Sequence, residues 1–327
     1  MDSKEFTRNM AETKIKKDKI CIVGSGLIGK SFAMLFASSG YQVYMYDIQS
    51  SQVTDALSNI RVQLLDLQEM GLLRGTLSVD QQHSCIRGAT DLGQAIKGAC
   101  FVLECVPERL DLKTSVYKSI DPFLEPSAIL GSSASGLVPS LLSKDLKNRN
   151  RFIVVHPTNP PFYAPLVELI PSPWTDSDVL PTTKSLCTEI GQAPVVLNKE
   201  IDGFVLNRIQ YAIIGECWNI VKAGVMSPED VDKVMSEGLG RRYAFMGPLE
   251  TAYLNADGWL SYQERYADMM ERVTSTFEPF PKVEGPTLQT IHNEFVRKIP
   301  LDQLDARRKW RDERLARLSK LKKDMDN

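Results

Sequence analysis

The sequence predicts an α/β domain on a mostly parallel sheet, followed by an all-helical domain. Three observations carry that prediction. Over the first 200 residues, short β-rich runs alternate with longer amphipathic stretches, the pattern of a parallel sheet covered by helices on both faces. The first β-rich run passes directly into a glycine turn, "GSGLIG". Beyond residue 200 the apolar spacing is helical and no convincing strand appears.

The elements follow in order. Strands are expected at "KICIVG", "QVYMYD", "ACFVLECV", "AILGSS", "RFIVVHP" and "LVELIP", with helices near 27–39, 50–70, 109–121 and 178–191. The second domain opens with the apolar-periodic run "GFVLNRIQYAIIGECWNIVKAG". It continues with "SPEDVDKVMSEG", where Ser227 reads as an N-cap, Pro228 as the first helical residue and Glu229 and Asp230 as first-turn acids. The division is therefore a disordered leader over 1–17, a sheet domain over 18–199 and a helical substrate and dimerisation domain over 200–327.

The bulk numbers exclude several classes. A net charge of −2 on 327 residues gives no general attraction to nucleic acid or to a membrane surface. No stretch approaches the roughly 18 apolar residues of a membrane span. Three histidines, His83, His156 and His292, argue against a metal cage, and no metal is expected. The polar leader lacks the apolar core of a secretory signal and carries acids that mitochondrial presequences avoid, which implies a cytoplasmic protein. The six cysteines form no C-x-x-C pair and read as buried, reduced thiols. Between Ala306 and Lys323 stand nine Lys/Arg and two Asp/Glu. We read this stretch as a solvated C-terminal helix whose Trp310, Leu315, Leu318 and Leu321 pack on the domain; a cationic helix for an anionic partner is the alternative.

The glycine turn carries the first functional reading. Gly24, Gly26 and Gly29 form G-x-G-x-x-G between a strand and a helix. Gly24 permits the tight turn, Gly26 lets backbone approach a pyrophosphate, and Gly29 lets the helix pack close to the strand. Leu27 and Ile28 begin the helix, whose free N–H groups and dipole favour phosphate. Asp47 ends the second strand 18 residues after Gly29. Its carboxylate suits the adenosine ribose hydroxyls and repels a 2′-phosphate, and no arginine follows it. The domain is thus Rossmann-type and its expected cofactor is NAD.

Removing hydride from an alcohol carbon requires a base for the hydroxyl proton, and histidine serves near neutral pH. His156 follows "RFIVV" directly, at the sheet edge where open α/β sheets place ligands. Glu168, in "LVELI", is a carboxylate among apolar residues and wants a partner; pairing with His156 would orient the ring, and an outward-facing strand position is the alternative. The turn "GSSASG", with Ser135, offers hydroxyls at the same edge, and Asn207 opens the second domain.

The glycines, "ECVPERLDLK", "SSASGL", "HPTNPPFYAPLVELI" and "DGFVLNR" together resemble the 3-hydroxyacyl-CoA dehydrogenase family along most of the chain. The resemblance implies a catalytic set of Ser135, His156, Glu168 and Asn207. In that set His156 is the base, Glu168 its orienting partner, and Ser135 and Asn207 bind the substrate oxygen or position the ring. It also implies that Glu108 and Lys113 line the nicotinamide end of the cofactor site. Departures concentrate near the substrate. The serine motif reads Ser132-Ser133-Ala134-Ser135-Gly136 where the family usually has S-N-T-S-S, Pro157 and Thr158 replace aromatics after the histidine, and a basic helix replaces the Gly- and aromatic-rich C-terminal segment. These argue against a CoA thioester. "SEGLGRRYAFMGPLETAYLNADGWLSYQERY" and the basic helix are instead similar to a sugar-acid branch of the family, implying NAD-dependent oxidation of the C3 hydroxyl of L-gulonate, or of another short 3-hydroxy acid, by a homodimer. A sugar-acid carboxylate needs a cationic anchor, for which Arg242 is the candidate and Arg241 the second choice. An acyl-CoA dehydrogenase and a structural protein that keeps the fold are the competing readings.

Overall fold

The computed structural model describes residues 13–325; most of the expected leader, residues 1–12, lies outside the described residues, as do 326–327. The chain divides into two compact units. One comprises the residues up to Asn207 together with Leu315–Lys320, and the other comprises Arg208–Arg314 with the residues from Leu321 onward.

The first unit is built on β1 (Lys19–Val23), β2 (Gln42–Tyr46), β3 (Ile86–Ala89), β4 (Ala99–Glu104), β5 (Ile129–Ser132), β6 (Phe152–Pro157), β7 (Leu166–Pro171) and β8 (Ala193–Val196). They form one sheet in the order β3-β2-β1-β4-β5-β6-β7-β8. Every neighbouring pair is parallel except β6 and β7. The chain builds outward from β1 to β3, then crosses back to β4. That reversal between β1 and β4 opens a crevice at the carboxyl edge of the sheet, the usual ligand position of this topology.

Alternation along each strand feeds two apolar layers. Ile20 and Ile22 of β1 join Phe32, Leu35 and Phe36 of helix α1 (Leu27–Ser38) and Ile60 and Leu64 of helix α2 (Ser50–Glu69). Cys21 and Val23 face the other way, onto Tyr117, Ile120 and Leu142. Each fully buried large aliphatic or aromatic contributes about 1.5–3 kcal/mol. Two strands were not expected from the sequence. "IRGA" of β3 is short with two exposed residues, and "APVV" of β8 is an edge strand that is largely exposed, so neither carries a clear apolar pattern. The antiparallel pairing of β6 and β7 has a simple cause: only the Pro-rich loop 158–165 joins them, too short for the dozen-residue crossover of a parallel pair.

Near the start of the described chain, Thr13 N–H donates to Thr76 Oγ1 at 2.7 Å and Lys16 N–H to Gly40 O at 2.7 Å, while Lys16 pairs with Glu189. No disulfide forms among the six cysteines. Burial pushes the Cys21 and Cys187 thiols up to about 12. Cys100 departs from the expectation of buried thiols: it is exposed, on the outward side at the start of β4.

Among the second unit's described residues the regular elements are all helices, joined by loops. Its main helices are Leu206–Lys222 (from Arg208), Trp259–Thr274, Gly285–Lys298 and most of Leu304–Met325. The predicted cap at Ser227 is present: its hydroxyl accepts the Asp230 N–H at 3.2 Å, with Pro228 as first helical residue. Only Gly215, Trp218, Asn219, Pro228, Val231 and Thr251 are buried among the unit's described residues. In the basic helix, Ala316 is buried and Leu315 and Leu318 are half-buried. Trp310 and Leu321 do not pack as expected; they are 40% and 50% exposed, and Trp310 lies between the guanidinium groups of Arg307 and Arg314 at 3.6 and 3.8 Å. Among the described residues, no helix is long and apolar enough to cross a membrane.

Candidate active site

At the end of β1, Gly24 takes a φ of +107° and donates its N–H to Tyr46 O at 2.8 Å. A Cβ there would lie 2.8 Å from the Cys105 backbone, and one on Gly29 would overlap the Gly24 carbonyl oxygen. Both glycines are required by the close approach of turn, helix and β4. Gly26 differs: a Cβ on it would meet nothing within 4 Å. Protein packing does not demand that glycine, whereas a ligand lying on the turn does. α1 starts there without a side-chain cap, leaving first-turn N–H groups for an anion. Leu27 is 45% exposed beside the turn, and Ile28 packs on the core.

Asp47, just beyond β2, is fixed from two sides. Ser25 donates both its N–H and its hydroxyl to Oδ2 at 2.9 Å, and Gln49 N–H reaches Oδ1 at 3.1 Å. A carboxylate has about four acceptor positions, so capacity remains for a ribose hydroxyl. The turn, the uncapped helix and the aspartate fit a dinucleotide. Ser25 was not picked out from the sequence, since a serine inside a glycine turn is unremarkable until its hydroxyl is seen on Asp47.

Beside this turn lies a buried polar cluster. Glu104, at the end of β4, is fully buried. Its Oε1 accepts from Lys113 Nζ at 2.9 Å and Val106 N–H at 2.6 Å. Its Oε2 accepts from the Tyr117 hydroxyl at 2.5 Å and the Ser132 hydroxyl at 2.9 Å. Burial first, then the adjacent Glu104 carboxylate, drives the Tyr117 hydroxyl well above its ordinary range, so it stays a donor. Lys113 is fully buried as well, its ammonium engaged by Glu104, Val106 O and, at 3.5 Å, Glu108 Oε2. Lys113, expected at the nicotinamide end of the cofactor site, thus sits between Glu104 and Glu108 within this cluster. Glu108 Oε1 in turn gathers the N–H groups of Ser135, Gly136 and Leu137 at 2.9, 3.0 and 3.4 Å. Glu104 was missed from the sequence, although the argument applied to Glu168, a carboxylate in an apolar run, holds equally for "VLECV".

His156 is the penultimate residue of β6, at 4% exposure, and Glu168 stands directly opposite it on β7 at 1%. His156 Nδ1 lies 2.8 Å from Glu168 Oε2. The carboxylate only accepts, so Nδ1 is the donor in this contact and Nε2 is the ring nitrogen that Glu168 leaves unused. Glu168 Oε1 accepts the N–H groups of Val205 and Leu206 at 2.9 and 3.0 Å. Burial alone would raise the Glu168 carboxyl, but hydrogen bonds from His156, Leu206 and Val205 outweigh it and hold it below the usual range. Asn207 Nδ2 donates to Ser135 O at 2.6 Å. The first unit therefore brings Ser135, His156, Glu168 and Asn207 together. The other histidines are elsewhere: His83 Nε2 contacts Leu57 O at 3.2 Å, and His292 is exposed in the second unit. Arg242 is exposed in the second unit, with no ion-pair partner among the described residues, while Arg241 pairs with Glu237.

Comparison with known proteins agrees with this architecture. The pattern described as 3-hydroxyacyl-CoA dehydrogenase, NAD binding domain, matches residues 19–201, and that of the C-terminal domain matches residues 203–281. Lambda-crystallin of Oryctolagus cuniculus is 50% identical over 308 residues, covering 94% of this chain and 97% of its own. A 5-formyl-3-hydroxy-2-methylpyridine 4-carboxylate 5-dehydrogenase of Mesorhizobium japonicum is 32% identical, covering 78% of this chain and 85% of its own. A solved NAD+-dependent dehydrogenase acting on 5-formyl-3-hydroxy-2-methylpyridine 4-carboxylic acid superposes with a TM-score of 0.75 at 27% identity, covering 93% and 97% of the two chains.

Proposed function

Since this chain belongs to the 3-hydroxyacyl-CoA dehydrogenase family, an NAD-dependent family of dehydrogenases, we propose that it oxidises the C3 hydroxyl of a free sugar acid, L-gulonate, or of a similar short 3-hydroxy acid, in the cytoplasm. The observation that carries this reading is the buried contact between His156 Nδ1 and Glu168 Oε2 at 2.8 Å.

With the Nδ1 proton held by the carboxylate, Nε2 is the basic nitrogen and takes the C3 hydroxyl proton. Glu168 then faces an imidazolium at contact distance and stabilises it. The bound nicotinamide supplies the hydride acceptor. Ser135 leaves its hydroxyl without a hydrogen bond among the described residues, which frees it for the substrate oxygen, and Asn207 ties the same turn in place. Proton transfer to a positioned base contributes about 10²–10⁴-fold. A free acid in place of a CoA thioester is supported by the departures at Ser132–Gly136 and Pro157–Thr158, and by the carboxylate named as substrate of the Mesorhizobium relative. Arg242 is the candidate anchor for the substrate carboxylate, on its chemistry alone: an exposed guanidinium suited to bidentate pairing.

The second unit exposes Ile209, Ile213, Leu249, Tyr253, Leu260 and Phe280 by 37–81%. Apolar exposure on this scale supports a homodimer that covers it with a second copy.

One panel tests the reading: NADH formation from L-gulonate, 3-hydroxybutyrate and 3-hydroxybutyryl-CoA with NAD+. Turnover of gulonate well above the thioester is expected; preference for the thioester overturns it. Arg242→Ala should raise KM for gulonate about tenfold or more, the loss of one charge-assisted bidentate contact; an unchanged KM removes Arg242 from the site.

A further inference from the structure

We infer that Phe204 is a positioning residue for the His156–Glu168 pair, its strained backbone and its ring each holding one member; the inference rests on His156 as the base. Phe204 has a φ of +52° and is the one non-glycine residue among those described with a left-handed backbone. It follows Gly203, whose φ is +73°. A bulky residue in that region is unfavourable, and such outliers persist only where the surroundings hold them. Glycine or asparagine would relieve the strain at this position. The chain keeps a phenylalanine, fully buried, with its ring centroid 5.3 Å from that of His156 and the planes at 54°.

The turn acts on each part of the site. Two left-handed residues in succession swing the next N–H groups, of Val205 and Leu206, onto Glu168 Oε1 at 2.9 and 3.0 Å. That fixes the carboxylate and aims Oε2 at Nδ1. The ring packs tilted beside the imidazole, close enough to limit its rotation away from Glu168. The turn is itself pinned: Gly203 N–H donates to Gly136 O at 3.3 Å, and Asn207 Nδ2 to Ser135 O at 2.6 Å. A core residue of ordinary kind would need none of this. Leucine would fill the volume, and a right-handed backbone would avoid the strain.

Full-length Phe204→Ala, Phe204→Leu and Phe204→Tyr are compared with wild type. With three histidines in the chain, 15N-histidine labelling isolates the His156 Nδ1 proton, which a buried carboxylate shifts far downfield. Expected results are a downfield proton in wild type and Phe204→Tyr, a weakened one in Phe204→Leu, and none in Phe204→Ala. On L-gulonate, kcat of Phe204→Ala should fall about 100-fold, the scale of a base misplaced by an ångström, with the NADH dissociation constant unchanged. The primary isotope effect with L-gulonate deuterated at C3 should grow, because chemistry becomes limiting. A loss of folded enzyme alone would lower kcat and leave the isotope effect where it was. If Phe204→Ala does not fold, Phe204→Leu and Phe204→Tyr decide. A wild-type downfield proton and isotope effect retained in the leucine or alanine variant overturn the inference. If wild type does not oxidise gulonate, the substrate reading falls while the histidine resonance still decides the role of Phe204.

Discussion

At the scale of single residues, the site depends on which nitrogen of His156 holds the proton. Nδ1 is spent on Glu168, so replacing the ring removes the proposed base and leaves the cofactor turn untouched. His156→Gln should lower kcat about 10²–10⁴-fold with NADH affinity, read by fluorescence titration, unchanged; near-normal turnover would refute the base assignment. Glu168 gives a pH prediction. Its carboxyl lies below the usual range in the folded chain, so the stability it contributes is fully present above the unfolded value of about 4.3 and is lost as pH falls through the lower folded value. Chemical denaturation from pH 7 to 3 should show wild type and Glu168→Gln converging at the acid end. His156 and Glu168 were legible in the sequence because both are polar residues inside apolar strands. Phe204 was not: "GFV" reads as helix or turn, and nothing in its composition announces a left-handed backbone.

Between elements, the decisive feature is how closely α1 approaches the β1 turn. A Cβ on Gly29 would overlap the Gly24 carbonyl, and backbone on both sides leaves no flexible neighbour to yield. Gly29→Ala should cost about 1–3 kcal/mol, lowering the thermal midpoint by a few degrees, and should weaken NADH binding because α1 shifts. An unchanged midpoint would mean that the helix moves at no cost. The G-x-G-x-x-G spacing disclosed this element, since each glycine has a geometric duty. The direction of β7 was hidden, being set by the length of the loop 158–165 and not by the strand's own residues. That antiparallel pairing is what sets Glu168 opposite His156. The Glu104 cluster belongs to the same scale. Tyr117→Phe removes one hydroxyl from Glu104 and Ser132 and should cost about 1–3 kcal/mol, measurable by denaturant midpoint with the slope unchanged.

For the whole molecule, the second unit buries few side chains and exposes many apolar ones. Sedimentation is expected to give twice the chain mass, and a monomer at micromolar concentration would contradict the dimer. The sequence revealed that this half is helical. Which residues are covered was beyond it, because apolar spacing marks a helix face without saying what lies against it. The first unit has a further property: it is discontinuous along the chain. Its sheet is complete at β8, yet Leu315–Lys320 belongs to it, with Ser319 Oγ donating to Tyr163 O at 3.0 Å. A ribosome must therefore thread out all of Arg208–Arg314 before the nucleotide-binding body receives its last piece. Nascent chains stalled at Arg314 should be more open to protease than those released after Lys320, so the clock for finishing this body is set by its neighbour's synthesis.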